Sequence, residues 1–192
     1  MDFALLTLVV AILIVRPTDF LTGMEVIPLY AIAIGACVLV SFPRLASVLA
    51  PGELKRSPAG AFALGVLGVS LVANFGRGRL DEGLEFATEY GKVVLFLFLV
   101  IGVVDTPSRL AAMLKVVVVV TLIPVSMAIL HYHGIIDVPN YKVTVEYWGE
   151  DPETGENGVT RRLGASGVFA DPNDVTEIIN VSIVFALGAF VA

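Results

Sequence analysis

The feature that most constrains this chain is a series of apolar runs almost free of charge, separated by short polar stretches. A helix needs roughly 20 apolar residues to cross a bilayer. Hydrophobic residues make up 57% of the 192 in the chain, above the roughly 45–50% of soluble domains. The sequence therefore predicts an all-α, polytopic integral membrane protein. Its expected helices, about six in number, lie in residues 3–15, 26–42, 59–75, 93–104, 110–130 and 175–192.

Polar and turn-forming residues indicate where these runs are interrupted. Pro43 follows the second run, and Pro124 predicts a kink within the fifth. The mixed-charge stretch 77–89 predicts an interfacial helix or loop. Ala61 and Gly65 stand four residues apart in the third run, a spacing that lets membrane helices approach closely.

The residues after the fifth run form the only substantial polar segment. Residues 141–147 alternate like a β-strand, 149–158 are rich in turn formers, and 159–163 resume the pattern, so we expect a small β-hairpin on the membrane surface. The chain then divides into helices one to five (1–131), an outer loop (132–171) and the start of helix six (172–192). Because the last run is still apolar where the sequence stops, we expect a piece of a longer protein. The alternative is a short final helix.

Basic residues suggest the orientation in the membrane. The loop 43–57 carries Arg44, Lys55 and Arg56 against one acidic residue, Glu53, and is the clearest cytoplasmic candidate. Alternation then places the N-terminus and residues 105–109 inside and the large loop outside. Counted over the whole chain, the basic residues do not follow the rule. Five lie on the assigned inside (Arg44, Lys55, Arg56, Arg109, Lys115) and seven on the assigned outside (Arg16, Arg77, Arg79, Lys92, Lys142, Arg161, Arg162).

Two explanations of that imbalance stay open. Either the topology is inverted, or outer arginines are retained to bind an anionic ligand, because the guanidinium fork fits phosphate oxygens. For Arg77 and Arg79 we favour simple pairing with acidic neighbours in residues 81–89.

Several classes of function are disfavoured. The net charge of −6 and the lack of a basic stripe argue against a nucleic-acid partner. The one cysteine, Cys37, cannot form an intrachain disulfide. His131 and His133 lack further ligands, so we expect no metal, and an interfacial role is favoured over a catalytic one. Without a cofactor motif in the sequence, we expect no cofactor.

Residues 161–174 carry the most specific chemistry. Asp171 suits the N-cap of helix six, Pro172 its first position and Asp174 the third. Free helix amides, the helix dipole and the side chains of Arg161 and Arg162 together suit a phosphate or pyrophosphate. Alternatively, the two aspartates only cap the helix and the arginines pair with acidic residues of the same loop. The residues leave these interpretations equally open.

Two motifs resemble a known membrane family. One is Gly167-Val168-Phe169-Ala170-Asp171-Pro172-Asn173-Asp174, which resembles the G-x-F-x-[DN]-P-N-[DE] signature of the O-antigen ligase/polymerase-like family. The other is Val15-Arg16-Pro17-Thr18-Asp19, which resembles the O-glycosylation ligases linked to exosortase systems. The layout of short helices before one polar loop is also similar.

The resemblance implies a membrane glycosyltransferase with a helical bundle related to the GT-C fold. Such enzymes transfer a glycan from undecaprenyl pyrophosphate to an acceptor at the outer face of the bacterial inner membrane, without a metal. The acceptor here is unknown, and the large loop would be periplasmic. Outer arginines hold the pyrophosphate in this family, which implies a catalytic role for Arg161 or Arg162.

Further roles follow from the same resemblance. Arg16, Gly167, Asn173 and Asp174 would bind the lipid pyrophosphate, and Asp171 would cap the helix. The two catalytic candidates, Arg161 and Arg162, stand farther from Gly167 than the arginine of related sequences, so which of them is equivalent stays open. The family's histidine belongs to a later outer loop that has no counterpart here, and we expect this chain alone to be inactive.

Two other classes of function compete with the transferase. A small-solute or inorganic-carbon transporter would place ionisable groups or broken helices near the membrane midplane. Here Asn180 and Pro124 are the only comparable features in the predicted spans. A non-catalytic membrane subunit is the other alternative, and it predicts no affinity for a lipid pyrophosphate.

Overall fold

The structure is a computed structural model of the chain, and it describes residues 1–19, 28–138, 141, 143–150, 157–163 and 171–191. The chain forms two compact units that interleave along the sequence. The first unit comprises Met1–Leu6 and Ala33–Arg109, and the second comprises Thr7–Ile32 and Leu110–Ala192.

The described residues are mainly helical. The helices are α1 (Asp2–Val15), a 3-10 turn (Pro17–Asp19), α2 (Leu29–Val48), α3 (Pro51–Leu54), α4 (Pro58–Gly76), α5 (Leu80–Val103), α6 (Pro107–Tyr132) and α7 (Pro172–Val191). Two strands, β1 (Val143–Glu150) and β2 (Asn157–Leu163), precede α7 and pair antiparallel.

Four of these helices are long and apolar enough to cross a membrane, namely α2, α4, α5 and α6, with 20, 19, 24 and 26 residues. Large apolar side chains such as Leu39 and Phe62 lie on their outer surfaces, 78% and 75% exposed in the isolated chain. Such surfaces are costly in water and favourable against lipid tails. The described structure thus has the character of a helical membrane protein.

Helix α2 extends farther than the apolar run that predicts it. It continues through Pro43 to Val48, although a proline inside a helix removes one backbone hydrogen bond. The next residue, Arg44, forms ion pairs with Asp2 and Asp105, and the hydroxyl of Ser47 donates to the Arg44 carbonyl at 2.7 Å. These contacts hold the final turns of the helix in place.

The mixed-charge stretch that follows α4 is the beginning of a membrane-length helix. Only residues 77–79 form the turn, in which Gly78 has a φ of 72°, a backbone conformation that glycine adopts without a steric penalty. Helix α5 then runs without interruption from Leu80 to Val103. Its charged residues pair along the helix, Arg79 with Glu82 and Lys92 with Glu89, so they are compatible with helical structure.

Helices α4 and α5 pack as an antiparallel pair in the first unit. Near one end, a Cβ on Gly60 would lie 2.9 Å from the Phe98 ring, and near the other, a Cβ on Gly83 would lie 2.9 Å from the Phe75 ring. Both glycines therefore permit close helix packing. The predicted small-residue pair of Ala61 and Gly65 does not have this role among the described residues, since a Cβ on Gly65 would meet nothing within 4 Å.

A cluster of buried residues in the second unit joins α6 to the first turns of α7. It contains Ala128, Val138, Tyr141 and Val175, which we name the α6–α7 cluster, and Leu163 of β2 packs against it. The strands pair in a regular register from Val143 opposite Leu163, with one irregularity near Trp148. The cluster places the end of β2 beside the beginning of α7.

Candidate functional site

The predicted pyrophosphate site falls where β2 meets α7. Leu163, the last residue of β2, packs against the α6–α7 cluster that includes Val175 from the first turns of α7. Arg162 and Arg161 immediately precede Leu163 in the strand, opposite Thr144 and Val145 of β1. The chain thus brings the backbone of both arginines near the N-terminus of α7.

The N-terminus of α7 has one backbone amide already bound. Helix α7 begins at Pro172, and Oδ1 of the preceding Asp171 accepts a hydrogen bond from the Asn173 backbone N–H at 2.7 Å. This contact has the geometry of an N-cap, in which a side-chain oxygen satisfies an otherwise free amide. An anion at this helix end would therefore share the amides with a carboxylate. Asp171 and Asn173 are both exposed, and Gly167 lies outside the described residues.

Arg16 lies in a separate part of the second unit, at the end of α1. It lines a cavity of about 230 Å³ together with Ile12, Leu13, Thr18, Pro28, Leu29 and Tyr30. Its φ of 48° is in the left-handed region, which costs a residue other than glycine of order 1–3 kcal/mol. The Arg16 amide still closes the last turn of α1 by donating to the Ile12 carbonyl at 2.9 Å. The side chain is thus presented at the junction between α1 and the start of α2.

The densest group of charges in the described residues lies in the first unit, at the opposite end of α1. Asp2, Arg44, Asp105 and Arg109 form this group, named here the four-residue ion-pair cluster. Arg44 Nε lies 2.9 Å from Asp2 Oδ2, Arg44 Nη1 lies 2.7 Å from Asp105 Oδ2, and Arg109 Nη1 lies 3.1 Å from Asp105 Oδ1. Two arginines and two carboxylates compensate each other's charge.

Backbone and aromatic contacts complete the ion-pair cluster. Arg109 Nη1 donates to the Val103 carbonyl at 2.9 Å, and its guanidinium lies 5.7 Å from the centre of the Phe3 ring. Asp2 stands before the apolar run that begins at Phe3. The Phe3 backbone N–H donates to Asp2 and lowers the pKa of this carboxyl, and Arg44 and Arg109 lower it further while partial burial opposes them.

The sequence predicts that these four residues lie on one side of the membrane, but it does not indicate their contacts. What indicates their common side is that each charged residue lies next to an apolar run, at the end assigned to the cytoplasm. The pairing itself depends on how α1, α2 and α5 pack, which no local pattern gives. In this compact cluster both arginines are paired with carboxylates, so it is better suited to fixing helix ends than to binding a charged substrate.

The remaining sequence candidates have simpler surroundings. Arg79 pairs with Glu82 at 3.1 Å, as the pairing interpretation expects. His131 packs edge-on against Tyr141 near the α6–α7 cluster. Within the segments that the structure describes, no group of three or more histidine, cysteine, aspartate or glutamate side chains could hold a metal ion.

Comparison with known proteins gives no further assignment. No protein family, curated protein or solved structure matches this chain.

Proposed function

We propose that this chain is part of a membrane glycosyltransferase that transfers a glycan from undecaprenyl pyrophosphate to an acceptor, and that the junction of β2 with α7 binds the pyrophosphate. The observation that carries the proposal is the packing of Leu163 against the cluster containing Val175. It brings the backbone of Arg161 and Arg162 close to the start of α7, shortly before the motif that resembles the ligase signature. Guanidiniums and helix amides are the groups that proteins use to hold phosphate oxygens.

The proposed chemistry is electrostatic. Breaking the bond between the sugar and the pyrophosphate builds negative charge on the leaving group, and preorganised donors lower the energy of that state. The arginines of β2 would supply most of the positive charge. Asp171 already binds the Asn173 amide, so we assign it to holding the helix end, whereas Asn173 and Asp174 would shape the site around the phosphates.

The cavity beside Arg16 is the proposed second contact of the lipid. It combines a guanidinium, the polar side chains of Thr18 and Tyr30, and apolar walls from Ile12 and Leu29. A polyprenyl pyrophosphate has both an anionic head and an apolar tail, so such mixed surroundings suit the region where the two join.

The same proposal includes a topology of about six crossings, with α1 and α7 added to α2, α4, α5 and α6. The ion-pair cluster brings the N-terminus, the end of α2 and the start of α6 to a common end of the first unit. Under the positive-inside rule, this end would face the cytoplasm of a bacterial inner membrane. Helix α6 would then carry the chain outward, so that β1, β2 and the beginning of α7 lie in the periplasm.

Binding to the lipid in nanodiscs tests the proposal directly. The purified chain is titrated with undecaprenyl pyrophosphate, and with undecaprenol as the uncharged comparison. Wild type should bind the pyrophosphate, and a variant carrying Arg161→Ala and Arg162→Ala should bind about 10- to 100-fold more weakly, since it loses charge-assisted hydrogen bonds. Arg56→Ala is the matched control, because that arginine is exposed and its ion pair in the described residues is with Glu53.

Glycan transfer in membranes provides the second measurement. In a cell that makes the complete transferase, the double variant should lose transfer while remaining in the membrane at the wild-type level. Retained transfer, or equal affinity for undecaprenol and its pyrophosphate, would contradict the proposal and favour a non-catalytic membrane subunit.

A further inference from the structure

His131 makes a backbone contact at the end of α6 that depends on its protonation state. Its Nδ1 accepts a hydrogen bond from the Val138 backbone N–H at 3.2 Å. A ring nitrogen can accept only when it carries no proton, so neutral His131 must hold its proton on Nε2. Val138 is 4% exposed, and a buried amide that loses its acceptor is costly.

The same nitrogen has a second neighbour, a carboxylate, that would attract the ring if it were positively charged. Oδ1 of Asp137 lies 3.8 Å from His131 Nδ1. Once Nδ1 is protonated, it is a donor that faces another donor, the Val138 N–H, so this hydrogen bond cannot form. The Nδ1 proton can be donated to the Asp137 carboxylate instead. Nδ1 of His131 therefore has the Val138 amide as its partner when the ring is neutral and the Asp137 carboxylate when the ring is charged.

We propose that the charge state of His131 controls how firmly residues 133–138 are held against the end of α6. When neutral, His131 holds residues 133–138 back against α6. When protonated, Nδ1 loses its hydrogen bond from the Val138 amide and donates to the Asp137 carboxylate instead. Loss of the Val138 contact then loosens the α6–α7 cluster, to which Val138 and Tyr141 belong. Histidine side chains ordinarily change charge between about pH 5 and 8.

Backbone hydrogen bonds in the turn after α6 bring the chain back towards the His131 ring. The Gly134 amide donates to the His131 carbonyl at 2.9 Å, and Gly134 has a φ of 68° that reverses the chain. The Ile135 amide donates to the Leu130 carbonyl at 2.9 Å. Together these bonds return the chain to α6, where the Val138 amide meets the imidazole.

The described side chains next to the His131 ring and in the α6–α7 cluster include an aromatic ring and aliphatic groups. Tyr141 packs edge-on against the ring, with centroids 6.0 Å apart. Helix α7 and strand β2 contribute Val175, Ile179 and Leu163 to the same cluster, none of which ionises. His133 is exposed and packs against Tyr132 instead, so it provides a matched control two residues away.

The protonation pattern is tested first, by ¹⁵N NMR of the purified full chain in detergent micelles. At pH 8 the His131 ring should carry its proton on Nε2 alone. This measurement needs no variant. A proton on Nδ1 at that pH would overturn the proposal, because the Val138 amide would then have no acceptor there.

Amide hydrogen exchange at Val138 tests the release, with the intrinsic effect of pH on exchange removed. In wild type, protection should fall about three- to tenfold between pH 8 and pH 5.5. His131→Asn keeps an acceptor oxygen at the Nδ1 position without titrating, so it should stay protected at both pH values. His131→Gln places its oxygen one bond farther and should be poorly protected at both.

Two further variants make the test specific. His133→Asn should retain the wild-type fall in protection, and Asp137→Asn should move the fall to lower pH because the protonated ring loses its partner. A constant protection in wild type, or an unchanged fall in His131→Asn, would overturn the proposal.

Discussion

Arg44 and Asp105 form an ion pair with a 2.7 Å contact between Nη1 and Oδ2, although 61 residues separate them in the sequence. The pair joins the last turns of α2 to the short connection between α5 and α6. Asp2 contacts the same arginine through Nε at 2.9 Å. One guanidinium therefore ties three distant parts of the first unit together.

We expect Arg44 and Asp105 to be energetically coupled. In a double-mutant cycle with Arg44→Gln and Asp105→Asn, the coupling energy should be about 0.5–2 kcal/mol, with the partial exposure of both side chains keeping it at the lower end. Thermal unfolding of the purified chain in detergent measures each corner of the cycle. The coupling should weaken as salt is added.

The pair formed by Arg56 and Glu53 is the control for that cycle. Both side chains are well exposed, 79% and 54%, and they lie one helical turn apart, so Arg56→Gln should change stability by no more than about 0.5 kcal/mol. A cycle that gives zero coupling for Arg44 with Asp105 would show that the ion-pair cluster does not stabilise the helix ends.

The stabilising effect of Asp2 should disappear in acid. Its pKa is lowered in the folded protein, first by the Phe3 amide and then by Arg44 and Arg109, so the carboxylate contributes stability above its unfolded pKa. That contribution is lost as the pH falls through the lowered value. Wild type should therefore have a higher Tm than Asp2→Asn at pH 7, and the gap should narrow as the pH falls below the ordinary carboxyl range of about 4.

The matched comparison for Asp2 is Glu53→Gln, which removes an exposed carboxylate whose partner is Arg56. This variant should differ little from wild type at either pH. If the gap between wild type and Asp2→Asn were the same at pH 7 and pH 3, the charge of Asp2 would not be the source of its effect.

Gly60 and Gly65 should respond oppositely to the same substitution. Alanine at either position gains about 1 kcal/mol of helix propensity. At Gly60 the new methyl would lie 2.9 Å from the ring of Phe98, which is 3% exposed and has little room to move. We expect Gly60→Ala to be about 1–3 kcal/mol less stable than Gly65→Ala, as measured by thermal unfolding. Equal stabilities would mean that α4 and α5 do not pack this closely.

The sequence predicts the helices best where local signals agree. The runs 59–75 and 110–130 fall within α4 and α6, because Pro58 and Pro107 stand at the first helical position and uninterrupted apolar residues follow. Helix α2 is harder to delimit. A proline ordinarily signals a helix boundary, but α2 continues past Pro43 to Val48, and Arg44 pairs there with residues from remote parts of the chain.

The candidate site is predictable only in part, for a related reason. The start of α7 after Asp171 can be read from local residue preferences. The packing of Leu163 against the α6–α7 cluster cannot, since it depends on how the strand returns to the helices. The contact between His131 and Val138 spans only seven residues, but it requires the left-handed turn at Gly134, and no periodicity indicates which nitrogen faces the amide.

The two arginines of β2 should not contribute equally to the proposed pyrophosphate site. Residues two apart in a strand share a face, and consecutive residues do not. Position 161 therefore shares the face of Leu163, which packs against the cluster containing Val175, and position 162 lies on the other face. Arg161→Ala should lower the affinity for undecaprenyl pyrophosphate about 10- to 100-fold, and Arg162→Ala by no more than about threefold.

Titration of the single variants in nanodiscs measures this difference, and Arg161→Lys refines it. Lysine keeps the positive charge but loses the planar fork that binds two phosphate oxygens, so it should recover only part of the lost affinity. A greater loss from Arg162→Ala would place the phosphates on the opposite face of the strands. Equal losses of affinity in the two single alanine variants would indicate that the arginines act through net charge alone. A site with defined geometry next to α7 can use only the arginine on the same face of the strand as Leu163.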